Sequence, residues 1–422
     1  MENSLAQAYS SRPEFQQGTC DVLVLNAAAR QSLMAVRSLG KRGLRIAALG
    51  TPDSLATPAF SSRWCHSKIT CPAYKGTKEH LHYLHQLLEA NGARVVIPTA
   101  DSDVTLLRQY REQIESRTGL AIAKEPALAI AVSKERTLEV ATRLGLRIPR
   151  GITLGNVSEV RAALREIGLP AVVKPEESWI ESGEQSVRVI CQLVTTPDEA
   201  RRAVEELTCF GGKVLFQQFL TGKREAISFL YADGQMHARF AQWAKRTNPP
   251  MGGVSVLRQS MVIPVDIGEQ AERLVREIDL EGYSEVEFRR DSAGYPYLME
   301  INPRLSASVE IAVRAGVDFP YLLYQWANGE SIDVVRGYRS GLWMRHLGGD
   351  IDTTIASLVQ RGRPGVSSPA RAILDFCTSF FIPALYDYLD WEDPLPAWRA
   401  TIGFPRDLWH LAQQHFLKNK AR

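Results

Sequence analysis

The sequence predicts an α/β protein built from more than one unit, and three observations carry that prediction. The first is a β–α–β pattern near the start. Asp21 to Asn26 is a short apolar run, Gln31 to Lys41 has helical character, and Leu44 to Leu49 is a second apolar run. Such a unit opens a doubly wound parallel sheet. The second is a hairpin pattern from Glu285 to Arg304, where apolar and polar residues alternate around Asp291-Ser292-Ala293-Gly294. The third is length: 422 residues exceed one ordinary core and point to two to four domains.

Composition narrows the class. Hydrophobic residues make up 45% and charged residues 23%, as in a globular protein. The formal net charge of +3 argues against bulk electrostatic binding to nucleic acid. No apolar run approaches the ~20 residues of a membrane span. The polar start, MENSLAQAYSSRPEFQQG, shows no secretory signal pattern, so a cytoplasmic protein is expected. The six cysteines form no C-x-x-C and read as reduced thiols. His80, His82 and His85 do not converge on one face of their helix.

In chain order, residues 1 to 18 read as a loosely held tail. The loop after the first strand, Ala27-Ala28-Ala29-Arg30, lacks G-x-G-x-x-G, which excludes a dinucleotide fingerprint. A helix near Lys78 to Asn91 and a strand at Arg94 to Pro98 follow. Asp101 and Asp103 then stand at a strand's carboxyl end, where open α/β sheets bind ligands, or serve as helix-capping acids. With Arg30 they are weak pocket candidates. Ser133 caps a helix that begins with Lys134 and ends near Gly145. Leu169 to Pro175 is an apolar strand ending in Lys174-Pro175. Thr196 to Leu207 is a helix, and Val214 to Leu220 a strand. Glu225 to Tyr231 and Gln235 to Phe240 form a hairpin about Asp233-Gly234. Gly268 to Asp279, Ser306 to Gly316 and Pro320 to Asn328 are helices. Gly341 to His346 is a strand, and Ile373 to Ile382 is apolar but too short for a bilayer.

The acidic hairpin carries the chemistry. Side chains two apart on a strand share a face, so Glu285 goes with Glu287 and Glu300 with Asn302. Val286, Phe288, Tyr297 and Met299 would form the apolar face. A two-residue loop would set Glu287 opposite Glu300; a four-residue loop would set Glu285 there. Either register gathers three carboxylates and an amide, with Arg304 just beyond. Carboxylates so close require a cation, and hard oxygen donors suit Mg²⁺ bridging to phosphates. An isolated E-x-N would more often be a solvated polar face.

The run MEINPRLSASVEIAVRAGVDFP resembles the signature of ATP-grasp ligases, near carbamoyl phosphate synthetase and the carboxylate–amine ligases related to it. The resemblance implies an ATP-grasp fold with four parts. These are a flexible tail (1–18), an N-terminal doubly wound α/β domain (19–122), a two-lobed ATP-grasp domain (123–330) and a C-terminal appendage (331–422). It implies that Glu287, Glu300 and Asn302 hold Mg²⁺, with Mn²⁺ a substitute, and that Arg304 contacts the transferred phosphate. Lys134 and Lys174 match the family's phosphate-contacting basic residues. Gln217 to Leu220 match the adenine hinge, with either Gln217 or Gln218 in place of the usual Glu, and Phe219 and Leu220 beside them. Glu225 matches the ribose-binding acid. Gly252, Gly253, Ser255 and Arg258, with Arg246, fall where relatives approach the acceptor or the phosphate. The covering loop, Ser178 to Ser186, departs from the family by holding one glycine and two acids.

A carboxylate–amine ligase follows from the resemblance: ATP phosphorylates a carboxylate, an amine attacks, and an amide, ADP and phosphate result. Its partners would be small-molecule carboxylate and amine substrates, with a homodimer compatible. Two alternatives stand. One is a bicarbonate-activating enzyme of the carbamoyl-phosphate or carboxylase type; the other is a non-catalytic ATP-binding subunit.

Overall fold

The computed structural model describes residues 20–401, apart from 52–56, 72–76, 177–178, 183–184, 210–211 and 251. The expected tail at 1–18 and the covering-loop side chains lie outside the described residues. The first sheet is parallel, with order β3-β2-β1-β4-β5. Its strands are β1 (Val22–Val24), β2 (Ile46–Gly50), β3 (Cys65–Thr70), β4 (Val95–Ile97) and β5 (Gly119–Leu120). The order reverses at β1, as a doubly wound sheet requires. β1 and β4 are buried at every position, because helices cover both faces. The helix Arg30–Lys41 is buried from Gln31 to Gly40. It lies between this sheet and the helices Val309–Ala315 and Phe319–Ala327. One core therefore joins Val22, Ile46 and Leu33 to Leu305, Ile311 and Phe319.

A small antiparallel sheet follows, with order β10-β7-β11-β6. It comprises β6 (Gly151–Leu154), β7 (Ala171–Pro175), β10 (Gln192–Val194) and β11 (Val214–Gln218), with the hairpin β8 (Trp179–Ser182) and β9 (Gln185–Arg188) between β7 and β10. Period-two alternation sorts its faces. Ala171, Val173, Val214 and Phe216 enter a separate core with Ala163, Ala203 and Val204 from the helices Val160–Ile167 and Pro197–Thr208. Val172, Lys174, Leu215 and Gln217 share the other face. Among the described residues, the helices Val160–Ile167 and Pro197–Thr208 pack on the opposite face.

The third sheet has seven strands in the order β16-β15-β12-β13-β14-β17-β18. These are β12 (Arg224–Ala232), β13 (Gln235–Asn248), β14 (Val254–Met261), β15 (Gly282–Arg290), β16 (Pro296–Asn302), β17 (Trp343–Arg345) and β18 (Ala384–Tyr386). The turn residues Asp233 and Gly234 both have positive φ, which suits a tight hairpin. One face packs Ile227, Val286 and Phe288 on the helix Val265–Glu277. β17 and β18 place residues from the C-terminal region inside this sheet.

The acidic hairpin corrects one expectation. Leu298 and Ile301 are buried, whereas Tyr297 and Met299 are not. The cause is an irregularity between Glu287 and Phe288. Phe288 pairs with Leu298, but Glu287 pairs with Glu300 and Glu285 with Asn302. Met299 is the extra residue of a β-bulge, which shifts the alternation by one. Unbroken alternation through Met299 would instead pair Glu300 with Val286 and send it into the core.

Candidate active site

Glu287, Glu300 and Asn302 therefore share a face of the third sheet, as the hairpin pattern predicts. Glu285 lies on that face too, but it is buried. Its Oε2 accepts from Gln242 Nε2 at 3.0 Å and lies 3.5 Å from Ser308 Oγ. Gln242 also donates to Ser308 Oγ at 2.7 Å. Glu285 thus anchors a buried polar knot beneath the site, and two carboxylates and an amide remain for ligation. Among the described residues, no three His, Cys, Asp or Glu side chains form a cluster able to hold a metal by themselves.

A polar chain crosses the sheet through these residues. Arg224 grips Glu287 with two nitrogens, Nε at 2.8 Å from Oε2 and Nη2 on Oε1. Asn302 Nδ2 donates to Glu287 Oε1 at 3.1 Å. Arg304 Nη2 reaches Asn302 Oδ1 at 3.5 Å, and Arg304 Nε donates to Asp101 Oδ1 at 2.6 Å. Asp101 thus ties the segment after β4 to the site. Asp103 caps the helix Asp101–Gln109, accepting from Thr99 N and Ala100 N at 3.0 Å each. Burial pushes its carboxyl up to about 6.

Two lysines approach from other elements. Lys134, at the start of the helix Lys134–Arg143, is buried, and Ser133 caps that helix by accepting from Arg136 N at 3.3 Å. Lys134 lines a small cleft with Asp101, Thr137, Glu300 and Asn302. Lys174 is buried on the inner face of the small sheet. Burial holds its ammonium below the usual lysine range, opposed by charges that include Glu300 and assisted by Lys134 and Arg289. Crowded, desolvated cations favour an anion between them. Gln217, on the same face as Lys174, is 1% exposed, and neither amide atom has a protein partner. A buried amide without partners is costly, and a purine edge offers both a donor and an acceptor. These residues fit ATP. Two carboxylates and an amide fit Mg²⁺, which keeps waters and phosphate oxygens as its other ligands.

The remaining candidates separate. Gln218 N donates to Arg150 O at 2.8 Å, and the Leu220 carbonyl accepts from Arg289 Nη1 at 2.8 Å. Phe219 and Leu220 follow β11 directly. Glu225 pairs across the sheet with Phe288 and Trp243, on the face away from Glu287. Its carboxylate takes Arg290 Nε at 2.7 Å and Lys223 Nζ at 3.3 Å. The strand alternation gives the cleft face to Arg224 instead. Gly252 and Gly253 lie at the β13–β14 tip. A Cβ on Gly253 would stand 2.5 Å from the Asn248 carbonyl, so the close approach it permits is to its own hairpin. Ser255 is buried, and its carbonyl lies 3.4 Å from Arg30 Nη2. Arg258 is fully buried and bonded through two nitrogens to Asp387, which also accepts from Arg30 Nη1 at 2.7 Å. Both arginines are engaged by one carboxylate, 129 residues from Arg258 and 357 from Arg30. Sequence reasoning missed Arg224, Arg289 and Gln242. Their signal was the alternation of β12, β15 and β13 relative to Glu287.

Residues 213–348 match the family described as ATP-grasp in the biosynthetic pathway with Ter operon. A D-alanine–D-alanine ligase from Ectopseudomonas mendocina is 25% identical over 209 residues, 47% of this chain and 64% of that protein. The chain therefore spans under two thirds of that relative's length. A carbamoyl phosphate synthase large chain from Thermus thermophilus is 24% identical over 257 residues, covering 56% of this chain and 24% of that one. Among solved structures, the biotin carboxylase domain of the Hydrogenobacter thermophilus 2-oxoglutarate carboxylase superposes with a TM-score of 0.61 at 16% identity. It covers 77% of this chain and 73% of that one, and its complex contains MgADP and bicarbonate. At that identity the likeness speaks for the fold.

Proposed function

The chain belongs to the ATP-grasp superfamily, and from that premise we propose that it is an ATP-dependent carboxylate–amine ligase. The observation that carries the reading is the meeting of two opposed faces. Glu287, Glu300 and Asn302 lie on one, and Lys174 with the unpartnered Gln217 amide lies on the other. A substrate carboxylate oxygen attacks the γ-phosphorus, the bond to the β-phosphate oxygen breaks, and ADP leaves. The amine nitrogen then attacks the acyl carbon, phosphate departs with the C–O electrons, and the nitrogen loses a proton. Both steps need positioning and charge neutralisation rather than a protein nucleophile. Lys134 and Lys174 supply positive charge to the phosphates. Gln217, with the backbone of Gln218 to Leu220, receives adenine. Arg304, held by Asp101, faces the transferred phosphoryl group. Glu287, Glu300 and Asn302 would hold Mg²⁺, which when bound neutralises phosphate charge. Arg224 must then yield Glu287. Small-molecule substrates in the cytoplasm suit this reading, and no helix among the described residues is long and apolar enough to cross a membrane.

Glu300→Gln tests the reading, because it keeps shape and removes charge. ADP formation with paired carboxylates and amines should fall by roughly 10²-fold or more, with the circular dichroism unchanged. ADP release at the wild-type rate would refute the assigned role.

A further inference from the structure

Beside the site, at the hinge end of the seven-stranded sheet, opens a cavity of about 370 Å³. Its walls carry Lys223, Arg224, Lys245, Arg246 and Arg289 against one carboxylate, Asp375. Some of this charge is already matched. Arg224 grips Glu287, Lys223 lies 3.3 Å from Glu225, and Arg246 Nε lies 3.0 Å from Asp350. The rest is not. Arg289 donates to the neutral Leu220 carbonyl, and Lys245 is exposed. Arg246 is the telling residue. Its side chain is 9% exposed, Thr354 Oγ1 accepts from its Nη2 at 2.6 Å, and its Nη1 has no protein partner. A buried guanidinium N–H left unpaired is costly, and an acidic ligand group would satisfy it.

The cations form two groups. Arg224 and Arg289 are cross-strand neighbours beside Glu287. Arg224 also faces Ala244, and Arg246 follows across a β-bulge that leaves Lys245 unpaired, so both Lys245 and Arg246 reach the cavity wall. The second group lies beneath the helices Leu347–Val359 and Pro369–Thr378, whose Thr353, Ser357 and Asp375 close the cavity.

We infer that this cavity binds the carboxylate substrate and that the substrate is a dianion. The reacting carboxylate sits by Arg224 and Arg289, and a second acidic group sits on Lys245 and Arg246. The inference rests on the ligase reading for the identity of the occupant as substrate. In this arrangement the C-terminal helices are the wall that selects which acid enters.

The test is calorimetric titration of the full chain at fixed ionic strength. Glutarate and L-glutamate are compared with propionate and L-alanine, and MgADP is titrated separately. At least tenfold tighter binding of a dianion than of the monoanions is expected. Lys245→Gln should weaken the dianion about tenfold and Arg246→Gln more, with MgADP affinity within twofold of wild type. Arg246→Gln deprives the buried Asp350 of a partner; if it does not fold, the exposed Lys245→Gln decides alone. Equal binding of dianions and monoanions, or no dianion binding, overturns the inference. So does loss of MgADP affinity in the variants, since the cavity would then belong to nucleotide phosphate. Failure of the ligase reading is seen elsewhere: Glu300→Gln would keep ADP formation while glutarate binding persisted.

Discussion

Arg224 and Glu225 are neighbours on one strand, so they must point to opposite faces of the sheet. Only one can face Glu287, and the charge of Glu287 selects the arginine. Asp103 shows the same competition within one side chain. Two backbone N–H groups favour its ionised form, but burial outweighs them and raises it from 3.8 to about 6. The folded protein therefore keeps a proton that the unfolded chain has released. Stability from this group is full below pH 3.8 and is lost as pH rises to about 6. The slope should not exceed about 1.4 kcal/mol per pH unit. Asp103→Asn retains an acceptor for the cap and should flatten that window. Urea midpoints at several pH values between 4 and 6.5 check it, and an unchanged slope in the variant would count against the assignment.

At the scale of the element, the bulge at Met299 sets the chemistry of β16. It lets Leu298 and Ile301 both reach the core while Glu300 and Asn302 face the cleft. Deleting Met299 removes only the unpaired residue, so simple alternation would still send Leu298 and Ile301 inward and Glu300 and Asn302 toward the cleft. Nucleotide binding, read by calorimetry with MgADP, should therefore survive the deletion, with circular dichroism showing the sheets retained. A deletion that loses MgADP binding while the sheets persist would mean that the bulge itself shapes the site. The small lobe follows the opposite logic. Its helices cover one face, and Lys174 and Gln217 on the other are left for a ligand rather than for protein partners.

At the scale of the molecule, the C-terminal region fastens the helix Arg30–Lys41 to the third sheet. Asp387 joins Arg30 to Arg258, and Asp393 accepts from Arg37 Nε at 2.9 Å with both groups fully buried. Such pairs add little relative to apolar packing, but breaking one leaves a buried charge. Asp387→Asn should cost about 3–5 kcal/mol, measured as a fall in the denaturant midpoint. A loss within about 0.5 kcal/mol would place Asp387 among ordinary surface substitutions.

Local pattern decided a good deal. Apolar runs and turn residues were enough to expect β1, β2 and the β12–β13 and β15–β16 hairpins. The family resemblance carried by the run from Met299 to Pro320, with Lys134 and Lys174, was enough to name the chemistry expected of the chain. What local pattern could not carry is phase and partnership. Alternation predicts faces only until a bulge shifts it, and Met299 looks in sequence like any apolar strand residue. Arg258 and Arg30 read as free cations until folding brings Asp387 to them. Residues 343–345 and 384–386 show no hairpin signal because their sheet neighbours lie far off in the chain. Tertiary structure alone made those choices, since neutralising a buried charge and closing a sheet edge depend on groups that sequence distance hides.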